Sequence, residues 1–192
     1  ALPNMLSSTK VIESADFDND GDLDLFVGGR ISPGQFPKSP SSYLLQNDNG
    51  IFTDVTDKYN SKLREIGMIT GASFEDVNGD EKLDLVIVGE WMPLTIFINK
   101  GRKFNLLKPK LESEGIWYSI LPLDVDNDGD MDFVAGNLGK NTKYKASTKS
   151  PLNLYGGDLD GNSTNDIVLS TYQNSIHYPI RGKECSTEQM PF

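Results

Sequence analysis

Sixteen side chains with hard oxygens recur in four short segments. DFDNDGDLDLFV begins at Asp16, DVNGDEKLDLVI at Asp76, DVDNDGDMDFVA at Asp124 and DLDGNSTNDIVL at Asp158. Counted from the first Asp, positions 1, 3, 5 and 9 are Asp16, Asp18, Asp20 and Asp24 in the first segment and Asp76, Asn78, Asp80 and Asp84 in the second. In the third they are Asp124, Asp126, Asp128 and Asp132, and in the fourth Asp158, Asp160, Asn162 and Asp166. Like charges this dense repel one another unless a cation compensates. Ca2+ suits the task, because it takes about 6–8 oxygens in a flexible shell, whereas Mg2+ demands a tight octahedron and keeps its waters.

Position 7 is Asp22, Lys82, Asp130 or Thr164. A lysine side chain cannot bind a cation, so this position is expected to offer its backbone carbonyl. Gly21 and Gly129 at position 6 allow the left-handed backbone of a sharp curl. Glu81 and Ser163 stand there in the other two loops. Up to four calcium ions are therefore expected. Loops one and three fit best, and loop four least well, because of Asn162, Ser163 and Asn165. Asp, Asn and Gly clusters also build ordinary turns. Four copies in one register argue for more than that.

An EF-hand opens in the same way but needs a bidentate acid at position 12. Here position 12 is Val27, Ile87, Ala135 or Leu169. These residues end short runs rich in apolar, aromatic and β-branched side chains, which read as buried strands. The loops must therefore be held between strands and not between helices.

The elements around the loops repeat as well. The first Asp residues lie 60, 48 and 34 residues apart. Downstream of the first two loops, SYLLQNDNGIFTDV and LTIFINKGRKFNLL read as further hairpins, with Asn47 and Asn99 before the turn. Strand, Asp loop, strand, connection, strand, turn, strand is the pattern of a four-stranded antiparallel propeller blade. The expected fold is all-β, one domain over 1–192, with blades near 10–58, 68–110, 116–150 and 151–192. The third unit is short, with its outer strands abbreviated within NLGKNTKYKASTKSP. TDKYNSKLREIGM leaves room for one or two helical turns. About four blades fit an arc of a larger ring, for example a seven-bladed one. Open edges would then invite self-association.

Bulk properties exclude other classes. The net charge of −10 argues against nucleic acid, which needs a basic face. Lys140, Lys143, Lys145 and Lys149 form the only basic cluster and read as a solvated loop. No apolar run is long enough to span a membrane as a helix. ALPNMLSSTK has neither an initiating Met nor the pattern of a signal peptide, so a processed piece is expected. A single Cys, Cys185, and a single His, His177, exclude an internal disulfide and a zinc cluster. Cys185 reads as a bystander and His177 as a surface or strand residue without a partner. No nucleophile elbow, phosphate-binding Gly loop or His-based dyad is evident.

These loops resemble the FG-GAP or VCBS repeat family, the calcium-loop blades of integrin α-subunit head domains. The resemblance implies loops between the first two strands of each blade, with the sixteen residues above as side-chain ligands. DLDLFVGGRISPGQFP, LDLVIVGEWMP, GNLGKNTKYKAS and LYGGDLDGN are also similar to bacterial secreted relatives of cartilage acidic protein. That likeness implies a larger parent and an extracellular, periplasmic or cell-surface location. The expected role is non-catalytic binding or adhesion to a protein or glycan partner. The alternative is the scaffold of a secreted polysaccharide lyase or hydrolase. Outside the loops, Glu90 and Trp91 are the best polar and aromatic pair for it, although strand-end packing explains them too. Trp117 and Tyr118 are expected in the blade core.

Overall fold

Every Asp segment joins two antiparallel strands. The computed structural model describes residues 1–107 and 112–182. In the first unit β1 (Ser8–Ala15) runs into the loop and β2 (Asp24–Ile31) leaves it, followed by β3 (Tyr43–Asp48) and β4 (Ile51–Asp54). The order β1-β2-β3-β4 makes a four-stranded antiparallel sheet. The second unit repeats it with β5 (Met68–Glu75), β6 (Asp84–Met92), β7 (Thr95–Asn99) and β8 (Phe104–Leu107). Between the two units lie a short helix, α1 (Thr56–Asn60), and a single 3-10 turn over Ser61–Leu63.

Among the described residues the later units are smaller. The third has two strands, β9 (Gly115–Leu123) and β10 (Asp132–Asn137), and β9 also pairs with the end of β6 through Glu90↔Ile116 and Met92↔Gly115. Its outer strands are absent among the described residues: 138–152 holds turns and one bridge, Ser147↔Ser150. The fourth has three strands among the described residues, β11 (Asn153–Gly157), β12 (Asp166–Gln173) and β13 (Ile176–Pro179). The stretches expected for the second and fourth blades run past the described residues, and Cys185 lies outside them.

The core sits between the first two units. Phe26, Leu44, Leu85, Ile87 and Phe97 have no exposed surface, and burial of each such side chain stabilises the fold by about 1.5–3 kcal/mol. The ring of Phe17, at position 2 of the first loop, meets Tyr59 edge-on at 5.1 Å, Phe104 at 5.9 Å and Phe74 stacked at 6.3 Å. β5 packs against β1, β2 and β9 and is buried along nearly its whole length. Close approach there requires a glycine: a Cβ on Gly89 would sit 2.3 Å from the Met68 carbonyl oxygen. At the same repeat positions in units three and four, Phe133, Ala135, Val168 and Leu169 are half-buried and others face solvent. Val134, Ile167, Val125 and Leu159 are all exposed. Tyr118, expected in the core, is also exposed, and Trp117 is half-buried.

Candidate metal centres

The four loops share one hydrogen-bond frame. The backbone N–H of position 2 donates to the position 9 carboxylate in each: Phe17 to Asp24 at 3.1 Å, Val77 to Asp84 at 3.2 Å, Val125 to Asp132 at 3.0 Å and Leu159 to Asp166 at 2.9 Å. The N–H of position 6 donates to the position 1 carboxylate in each: Gly21 to Asp16, Glu81 to Asp76, Gly129 to Asp124 and Ser163 to Asp158, at 2.7–3.2 Å. These bonds hold the chain in a curl before any ion is considered.

The curl takes two left-handed residues. Position 6 has positive φ in every loop, and so does position 4, at Asn19, Gly79, Asn127 and Gly161. Glu81, at φ 61°, and Ser163, at φ 67°, adopt the conformation without being glycine. For L-residues it costs about 1–2 kcal/mol, and the bond to the position 1 carboxylate offsets it. Gly79 alone hints at this freedom in loop two, and its recurrence at position 4 of all four loops comes from the structure. Its signal was the alternation of Asn and Gly there, the residues that tolerate this region best.

Positions 1, 3 and 9 converge. Carboxylate oxygens of Asp16, Asp18 and Asp24 lie within 4.8 Å of one another, as do those of Asp124, Asp126 and Asp132 and those of Asp158, Asp160 and Asp166. At position 5, Asp20 and Asp128 do not join these trios. Asp20, Asp128 and Asn162 instead accept the N–H of position 7, from Asp22, Asp130 and Thr164, at 2.8–2.9 Å. The Asp22 side chain is engaged elsewhere, accepting the Asn49 N–H at 2.7 Å. In loop four Asn162 also donates to Asp160 at 3.0 Å and accepts a short bond from the Thr164 hydroxyl.

The residues fit a cation. Asp18 Oδ1 and Asp124 Oδ1 are buried and have no hydrogen-bond partner, so each offers an unspent lone pair within a trio of acids. Electrostatics agree in loop one. Burial, with Asp20 and Asp16 close by, raises the Asp18 pKa despite the Gln46 hydrogen bond. Burial, with Asp18 nearby, pushes Asp24 up to about 6, against hydrogen bonds from the Asn47 and Phe17 amides. A divalent ion would relieve both.

Loop two differs. Asn78 turns its amide nitrogen to Asp84 at 2.8 Å, and Asp80 binds the Lys100 ammonium at 3.0 Å. Asp80 Oδ1 has no hydrogen bond, yet lies 3.8 Å from the Lys82 ammonium.

Outside the loops, a cavity of roughly 890 Å³ opens at the other ends of the strands, lined in part by Met68, Glu90, Trp91, Gly115, Asn137 and Asn153. Glu90 pairs there with Arg30 at 2.5 Å, and Trp91 has φ 60°. The four lysines from Lys140 to Lys149 are exposed. His177 is an exposed strand residue, as expected, but it has several partners. Ser170 Oγ lies 2.7 Å and Asn153 Nδ2 3.3 Å from its Nε2, and the Tyr172 ring stacks on it at 4.7 Å. The antiparallel register that pairs Tyr172 with His177 brings them together. Ser170 is only 3% exposed, so this contact pins the hairpin from within.

Among the described residues no helix is long and apolar enough to cross a membrane. The sequence profile of the FG-GAP-like repeat family matches two overlapping segments, residues 16–87 and 76–135. Each match starts on the first Asp of a loop and ends at position 12 of the next. No curated protein matches the chain.

Proposed function

The chain belongs to the FG-GAP-like repeat family, and from this we propose that it is a calcium-stabilised, non-catalytic propeller module that binds a protein or glycan partner outside the cell or at its surface. The observation that carries the calcium reading is the convergence of three acids in loops one, three and four, with Asp18 Oδ1 and Asp124 Oδ1 left unpaired. When bound, the ion neutralises the clustered carboxylates. The chain's own part is to curl positions 1 to 9 around one point through the two recurring backbone bonds. Binding only to the folded form then adds stability by mass action. Loops of modest affinity fill where calcium is near millimolar, as outside cells.

The test is thermal melting of chelator-treated protein with and without added calcium. A clear rise in midpoint with calcium, and none with sodium of equal ionic strength, is expected. An unchanged midpoint refutes the calcium reading.

One observation favours a second reading, the scaffold of a carbohydrate-active enzyme. Glu90 and Trp91 line the cavity, a carboxylate and an aromatic ring of the kind that meets sugars. Incubation with a glycan panel separates the two. Retention without cleavage supports the binder, and bond cleavage supports the enzyme.

A further inference from the structure

The second loop carries its own cations. Asp80, at position 5, has one carboxylate oxygen 3.0 Å from Lys100 Nζ and the other 3.8 Å from Lys82 Nζ. Lys82 is position 7 of the same loop, and Lys100 sits at the tip of the β7–β8 hairpin. The first unit is the natural comparison, because its hairpin reaches its loop in the same way. There the residue matching Lys100 is Asp48, which directly follows Asn47 as Lys100 directly follows Asn99. At the hairpin position where the first unit has an acid, the second has a lysine that reaches Asp80.

Further differences in loop two point the same way. Position 3 is Asn78 where the other loops have Asp18, Asp126 and Asp160. Its amide nitrogen donates to Asp84 at 2.8 Å, so a hydrogen bond holds positions 3 and 9 together where the other loops bring two repelling carboxylates close. The position 1 carboxylate, Asp76, is occupied by four backbone amides, those of Asn78, Gly79, Asp80 and Glu81. Each feature reduces the demand for an external ion.

We propose that Lys100, assisted by Lys82, is the built-in counter-cation of the second loop, so that this loop folds without calcium and is the last of the four to bind it. The inference rests on the reading of the other loops as calcium sites. A tethered ammonium beside Asp80 must be displaced before a divalent ion can use that carboxylate, and the two positive charges repel at contact distance. The resulting order differs from the one that residue types alone suggest, which places loop four last.

The experiment is calcium titration by calorimetry on the chelator-treated chain, its Lys100→Gln variant and a Lys103→Gln control. Lys103 lies on the same exposed hairpin, so the control removes an equal charge without touching Asp80. Wild type is expected to take up three ions in the range where Lys100→Gln takes up four, the added site being about tenfold tighter than in wild type. In the absence of metal, Lys100→Gln melts below wild type, and calcium closes the gap. Four ions of similar affinity in wild type, or an equal gain in Lys103→Gln, overturns the inference and leaves the calcium reading standing. No uptake by either protein overturns the calcium reading itself and this inference with it.

Discussion

Asp84 is predicted to hold the second unit together whether or not metal is present. It is fully buried and accepts the Asn99 N–H at 2.7 Å and the Val77 N–H at 3.2 Å. Asp84 also accepts the Asn78 side-chain amide at 2.8 Å, but Asn78 is exposed and water can take its place, so Asp84→Ala strands chiefly the two backbone donors. An unpaired buried donor costs about 1–3 kcal/mol, so the pair costs about 2–4 kcal/mol, with the less buried Val77 amide at the low end. That is a large share of the roughly 5–15 kcal/mol available to a domain. The matching change in the third unit, Asp132→Ala, removes one bond, to the Val125 N–H, at an exposed residue. Water replaces that bond, and the cost stays below about 1 kcal/mol. The assay is urea unfolding in EDTA, read as a shift in midpoint at constant slope. If Asp84→Ala does not fold, Asp84→Asn retains one acceptor oxygen and gives a smaller shift in the same direction. Equal costs at the two positions, or a cost below about 1 kcal/mol at Asp84, would refute the argument that burial makes position 9 a structural acceptor.

Two further outcomes follow from the same geometry. Asp24, pushed from 3.8 to about 6, favours its protonated form in the metal-free fold, so its contribution to stability is present below 3.8 and is lost as pH rises through about 6. Calcium needs the ionised form, so calcium affinity should climb through that same window; titrations across it check this, and a flat profile in both measurements contradicts it. Gly89→Ala places a Cβ 2.3 Å from the Met68 carbonyl and 2.6 Å from the Met92 sulfur. Backbone must shift, and a loss of about 1–3 kcal/mol by urea unfolding is expected.

Much of the fold and of the loops was legible in the residue order because their physics is short-range. The bonds from position 2 to position 9 and from position 6 to position 1 span seven and five residues. They close within one segment whatever surrounds it. Strands on either side announced themselves by β-branched and aromatic runs, such as Leu85 to Val88. The convergence of Asp124, Asp126 and Asp132 needed only the curl of a nine-residue loop.

The contacts that rank the loops were not legible in this way. Lys100 meets Asp80 across 20 residues, and it does so only because the β7–β8 hairpin folds back over the loop. Ser170 and Asn153 reach His177 through strand register, which no spacing rule had joined. Position 2 is apolar in all four loops, yet Phe17 is 3% exposed and Leu159 is 55% exposed. The sequence by itself determined the four Asp loops, the strands that flank them and the kind of ion they suit, since hydrogen bonds and repulsions inside nine residues decide these. Only the tertiary structure decided which apolar residues become core and which carboxylate receives a lysine, since both depend on what a neighbouring sheet or hairpin brings across the gap.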